Sequence, residues 1–328
     1  MPFSILAFIV LGCAYVQGDG ARIEGVAVNG TQDGKPLAGA EVILRAGEEG
    51  ALPIIAKTVT DRNGRFVFDR LPAGPGMIFL PGVNHHGIHY PGLRMRLPAG
   101  TPMVKLVAFD AVASPSPLVA DVHEIDIQIN VGVLEVTETL VIRNPSLATY
   151  VGQSENGAAP TTLGLTIPDG FERVTFHSEF NGRHFKLQDK RLVTDLPWTP
   201  GTREVKFTYH LPIEDGKRVL EWSANVPCAN HRLRVRGENA DRFQCNLPRA
   251  GPFASPAWER DDVLFASSEP AVTGHIVRLQ LGHVPTPWVS YLRWSALAAL
   301  AILIAATAAW RTARREGAKP AATQLVVQ

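Results

Sequence analysis

The sequence predicts an all-β protein: two β-sandwich domains in tandem, followed by one C-terminal transmembrane helix. Short stretches in which apolar and polar residues alternate recur along most of the chain, the period of half-buried strands. The 29 glycines and 25 prolines fall between those stretches, where turns are needed, rather than in one low-complexity block. Near the end, a segment from Trp288 to Trp310 has an apolar heart, Ser295 to Ala309, that contains no charge. A length of 328 residues suits two domains, since one usually runs to ~100–200 residues.

The first element is the apolar run Ile5 to Val16, followed by the polar Gln17-Gly18-Asp19-Gly20. It is too short to span a bilayer and has the length of a secretory signal core, so residues 1–18 are predicted to be a signal peptide. No Lys or Arg precedes it, and a buried N-terminal strand or helix is the alternative. Val10-Leu11-Gly12-Cys13 also resembles a lipoprotein lipobox.

The first domain is placed at residues 22–109. β-prone stretches at 23–28, 41–45, 54–60, 65–69, 77–80 and 103–108 are each bounded by Gly, Pro, Asn or Asp. Asp61-Arg62-Asn63-Gly64 holds an Asn-Gly pair, a strong hairpin signal because both residues tolerate positive φ. Val42, Leu44, Phe66 and Phe68 alternate into a core. The pattern Gly25-x-Val, Pro36-Leu37-Ala38-Gly39-Ala40-Glu41-Val42-x-Leu44, Thr60-Asp61-Arg62-Asn63-Gly64-Arg65-Phe66-x-Phe68 and Leu71-Pro72-Ala73-Gly74 resembles the carboxypeptidase regulatory-like domain. That resemblance implies a prealbumin-like β-sandwich, an accessory module with no catalytic residues of its own.

One feature exceeds this scaffold. Asn84-His85-His86-Gly87-Ile88-His89-Tyr90 puts three imidazoles in one short stretch flanked by Gly and Pro, read here as a polar loop. Imidazole is the commonest side-chain ligand for Zn, Cu or haem iron, so His85, His86 and His89 are candidate metal or haem ligands. No carboxylate or Cys lies within the stretch to complete a ligand shell, and the alternative is a loop whose Tyr90 packs on the sandwich. Tyr90 is a candidate binding residue in its own right.

After a linker at 110–120, the second domain is placed at residues 121–284. From His123 the chain alternates, Ile125, Ile127, Ile129 and Val131 against Asp126, Gln128 and Asn130, as in a half-buried strand of an antiparallel sheet. In the next stretch Leu134, Val136, Leu140 and Ile142 are in phase with Glu138, an inward carboxylate. Glu138 is therefore a candidate binding residue, an edge-strand guard against aggregation, or a bulge residue. Two further alternating strands follow, Val205-Phe207-Tyr209-Leu211 and Leu220-Trp222-Ala224-Val226, and a last one runs from His275 to Leu281 into the membrane helix. Features such as Arg143-Asn144-Pro145-Ser146, Leu196-Pro197 through Pro200-Gly201, and Tyr209-His210-Leu211-Pro212 resemble a group of bacterial proteins. In that group a regulatory-like module precedes a second β-domain and a C-terminal membrane helix.

Cys228 and Cys245 form an even pair that suggests a disulfide in an exported domain, with ~3 kcal/mol of chain-entropy stabilisation for a loop of that size. A zinc site with His231 and a redox pair are the alternatives; the first lacks a fourth ligand, the second Cys-x-x-Cys spacing.

The helix at 288–310 rises ~1.5 Å per residue and so matches a ~30 Å hydrocarbon core. Trp288, Tyr291 and Trp294 at one end and Trp310 at the other suit the headgroup zones, and Arg311, Arg314 and Arg315 mark the cytoplasmic side. The domains before the helix are thus expected outside, periplasmic or extracellular, and the tail 311–328 inside and disordered.

Function classes narrow by exclusion. Lys and Arg number 32 against 31 Asp and Glu and are dispersed, so no basic stripe points to nucleic acid. Neither His-Glu-x-x-His, Gly-x-Ser-x-Gly, a phosphate-cradling loop nor a dinucleotide fingerprint occurs. The carboxylate pairs Glu48-Glu49 and Asp261-Asp262 would point to opposite faces of a strand. The sequence therefore predicts a membrane-anchored, non-enzymatic recognition or scaffold protein that meets an envelope protein or polysaccharide, with metal or haem handling as the alternative.

Overall fold

The computed structural model describes residues 21–316, except 49, 51, 73, 75, 97–102, 155–158, 178–179, 181–182, 189, 214–218, 238, 251–261 and 283–287. The stretch read as a signal peptide, with Cys13, and Glu49, Asp261 and the tail beyond Glu316 lie outside the described residues. The fold is all-β with one C-terminal helix. Backbone contacts divide the chain into two compact units that are not collinear with it: residues 1–119, 143–163 and 193–203 form one, and 120–142, 164–192 and 204–328 the other.

In the first unit, β1 (Ala21–Asn29), β2 (Lys35–Pro36), β3 (Glu41–Gly47), β4 (Ile54–Val59), β5 (Arg65–Leu71), β6 (Ile78–His85), β7 (Ile88–Pro91), β8 (Met103–Ala108) and β9 (Ala111–Val112) follow in order. One four-stranded sheet pairs β1 antiparallel with β2 and β5 and parallel with β8; the other runs β4-β3-β6-β7, antiparallel throughout. Alternation forces the inward residues together: Ile23, Val42, Leu44, Phe66, Phe68, Phe79, Val83 and Leu106 form one core drawn from both sheets. Each such side chain contributes ~1.5–3 kcal/mol of burial.

The turn between β4 and β5 differs from the Asn-Gly hairpin the sequence suggests. The Asp61 carboxylate accepts from the backbone N–H of Asn63 at 2.8 Å and of Arg65 at 2.7 Å, and only Gly64, at φ 72°, takes positive φ. The stretch read as a polar His loop is instead a hairpin: His85 pairs with Ile88, and His86 and Gly87 turn the chain at φ 49° and 78°. Two successive positive φ values give the primed turn that matches strand twist.

The remaining strands are β10 (Val119–Asn130), β11 (Val133–Asn144), β12 (Thr149–Tyr150), β13 (Leu163–Thr166), β14 (Glu172–His177), β15 (Lys186–Gln188), β16 (Arg191–Thr194), β17 (Gly201–Pro212), β18 (Val219–Ala224), β19 (His231–Arg236), β20 (Gln244–Cys245), β21 (Arg249–Ala250), β22 (Val263–Ser267) and β23 (Val277–Gln280). A seven-stranded sheet runs β14-β17-β11-β10-β19-β22-β21 and a six-stranded one β15-β16-β13-β18-β23-β20. Residues 111–112, within the stretch read as a linker, pair with β12. Asn144 shapes the turn before β12, its amide donating to the carbonyls of Ala148 and Trp198, both at 2.8 Å.

The alternation read from His123 is present, with Ile125, Ile127 and Ile129 buried, but β10 pairs parallel to β19 and Val131 stands exposed in the following turn. β17 buries Val205, Phe207, Tyr209 and Leu211, and β18 buries Leu220, Trp222 and Ala224. The α-helix α1 (Trp288–Glu316) contains an 18-residue window, Trp294–Arg311, long and apolar enough to cross a membrane, none of it buried against the rest of the chain. It continues through Arg311–Glu316, so the start of the tail expected to be disordered is helical.

Candidate functional site

Three places gather chemistry-bearing side chains. The first lies at the β6–β7 hairpin. Neighbouring residues on a strand face opposite ways, but His86 sits in the turn, and its ring comes to 4.0 Å from that of His85, centroid to centroid. Both rings meet Asp110, which follows β8. Asp110 Oδ1 lies 3.0 Å from His85 Nε2 and 3.6 Å from His86 Nε2.

Asp110 is itself well held. Asn29 donates to its Oδ1 at 2.7 Å, Gln32 donates to its Oδ2 at 2.9 Å, and its backbone N–H donates to Thr31 Oγ1 at 2.9 Å. The His85 contact and the Gln32 amide hold the Asp110 carboxyl down at about 2, so it is ionised at neutral pH. His85, His86 and Asp110 each offer one ligand atom, all within 4.8 Å of one another.

The set differs from the three histidines chosen by sequence. His89 instead places Nδ1 2.7 Å from Asn84 Oδ1, and burial with the nearby Arg45 cation lowers its pKa. The residue that sequence reasoning missed is Asp110, remote in sequence from the histidine stretch; the parallel pairing of β8 with β1 brings it near Asn29. Tyr90 is buried, and its hydroxyl donates to Phe109 O at 2.8 Å and lies 2.9 Å from Thr149 Oγ1, which makes it a strut rather than an exposed contact.

The second place surrounds Glu138. β11 lies inside the seven-stranded sheet, between β17 and β10, so Glu138 guards no edge. It is 1% exposed and accepts from Tyr209 Oη at 2.7 Å and His123 Nε2 at 3.0 Å, while Trp222 Nε1 donates to Tyr209 Oη at 2.6 Å. Burial and the Glu138 carboxylate push the Tyr209 phenol far above its ordinary range, so it stays a donor. Beyond His123 stand His231, 5.7 Å away between ring centres, and His275, 5.1 Å further. A general acid or base must touch its substrate, and Tyr209, Glu138 and His123 are sealed at 0%, 1% and 1% exposure. Their chemistry is that of a buried network closed to solvent, in which Glu138 and Tyr209 are paired while His123 Nδ1 finds no partner among the described residues.

No disulfide is seen between the two cysteines, which are both free thiols. Cys228 bridges Ala120 and Ala271 through its backbone and directs Sγ to Asn230 O at 3.2 Å. Cys245 lies on β20 opposite Leu279, with the Leu247 N–H donating to its Sγ at 3.4 Å. Each thiol is turned to its own local backbone, and burial raises the pKa of both.

The third place is a polar cleft of 550 Å³ on the seven-stranded sheet, lined by Asp126, Glu135, Thr137, Glu204, Lys206 and Arg236 among others. Asp126 pairs with Arg234 and Arg236, and Thr208 Oγ1 lies 2.9 Å from both Thr137 Oγ1 and His177 Nε2. Charges of both signs and hydroxyls are thus held by mutual contacts on the sheet, an arrangement suited to holding polar ligands. The chain matches no protein-family model, and no curated protein matches it.

Proposed function

We propose that this chain is a membrane-anchored, extracytoplasmic recognition protein without catalytic activity. In this reading the apolar segment near the N-terminus directs export, α1 stays in the bilayer, and Arg311, Arg314 and Arg315 hold its end in the cytoplasm. The first unit is a carboxypeptidase regulatory-like module, and the β units meet an envelope protein or polysaccharide.

The observation that supports this best is the wholly exposed apolar window of α1 at the end of an all-β chain. Such a surface is costly in water and natural in lipid. The polar cleft supports recognition, because its ion pairs and hydroxyls are positioned before any ligand arrives. A photo-crosslinking residue placed at Lys206 of the full-length protein, in its native membrane, tests the reading. One reproducible adduct is expected, absent when the probe replaces exposed Arg22 on the first unit; identical adduct patterns from both positions, or none from either, would refute it.

A further inference from the structure

We propose that His85, His86 and Asp110 bind a divalent transition-metal ion, Zn2+ or Cu2+, and that His89 takes no part. The geometry is nearly that of a formed site. Tetrahedral ligands with bonds of ~2.1 Å stand roughly 3.4 Å apart, and Asp110 Oδ1 already lies 3.0 Å and 3.6 Å from the two Nε2 atoms. Little movement is needed to admit an ion between them.

The surroundings favour the same use. Asn29 donates to the same Oδ1 that meets the histidines and Gln32 to Oδ2, the kind of outer hydrogen bonding that fixes metal ligands. The positive φ of His86 sets its ring beside that of His85, an arrangement a straight strand cannot make. Side-chain exposures of 16%, 58% and 28% for His85, His86 and Asp110 leave an entry path on the His86 side.

Two imidazoles and one carboxylate suit late first-row divalent ions, with a fourth position left for water or a donor from a partner. Each imidazole presents the Nε2 lone pair to the ion, its remaining proton sitting on Nδ1. The ion replaces the direct His85 to Asp110 hydrogen bond, and any proton displaced goes to solvent.

The test is a competition titration of the full-length protein in detergent micelles, with Zn2+ and Cu2+ against a chromophoric chelator. His86→Asn keeps a residue tolerant of left-handed backbone, so the hairpin survives while the ligand is lost. His86→Asn and Asp110→Asn are each expected to weaken binding about tenfold or more, and His89→Ala by less than about twofold. The electron paramagnetic resonance spectrum of bound Cu2+ should show coupling to two nitrogens in wild type and to one in His86→Asn. The proposal is overturned if wild type binds no more tightly than His86→Asn, if His89→Ala weakens binding as much, or if the spectrum is unchanged by His86→Asn.

Discussion

His231 shows what one buried side chain can do to stability. It is 4% exposed, neither ring nitrogen has a hydrogen-bond partner among the described residues, and its nearest ionisable neighbours are His123 and His275. Burial, then the repulsion of those two imidazoles, depresses its pKa from 6.5 to about 4. Between those values the unfolded chain binds a proton that the folded chain refuses. Stability is therefore unaffected above about pH 6.5, falls as pH drops through that value, and levels off below about 4. The loss is on the order of 3 kcal/mol. Urea unfolding of wild type from pH 7.5 to 4.5 should show a falling midpoint, and His231→Leu, which cannot take up the proton, should show a shallower fall. Parallel slopes would place the pH dependence elsewhere.

Turns carry the element scale, and Gly64 is the sharpest case. Its φ is 72°, and an added Cβ would lie 2.5 Å from the Ala27 carbonyl oxygen, a backbone atom that cannot swing aside. Gly64→Ala should cost on the order of 2 kcal/mol or more, read as a lowered thermal midpoint, whereas Gly39→Ala meets positive φ without a clash and should cost less. The place of this turn was legible in Asp61-Arg62-Asn63-Gly64, because Gly and Asn between two apolar alternations leave few other conformations. Its type was not, since the Asp61 carboxylate bonding two backbone N–H groups decided it. The histidine hairpin failed for a related reason: a run of polar residues hides strand alternation, and β6 extends through Pro81 and Asn84 to His85. Strands with a clean period, such as β8, matched the sequence residue for residue.

Across the whole molecule, legibility follows the range of the interaction. Alternation is local, and it foresaw which residues of β11, β17 and β18 turn inward, Glu138 included. What answers Glu138 is not local: Tyr209 and His123 reach it through the order of strands in a sheet, and Asp110 joins the histidines in the same way. A disulfide likewise depends on approach, which spacing alone does not report, and none is seen between Cys228 and Cys245.

The apolar helix can be judged from composition because length and hydropathy, not a particular partner residue, make it able to cross a membrane. Leu300 and Ile304 on α1 are 54% and 60% exposed, so neither is needed to pack the β units. They stand four residues apart, on one face of the helix, near the middle of the apolar window. A lysine at the centre of a membrane helix costs roughly 2.5–3.5 kcal/mol of insertion free energy, so two together outweigh the gain from several leucines. Wild type should stay in the membrane pellet after alkaline carbonate extraction, and Leu300→Lys/Ile304→Lys should move largely to the supernatant with its β-sheet circular dichroism intact. Retention of the double variant in the pellet, or release of wild type, would mean that α1 is not held by lipid.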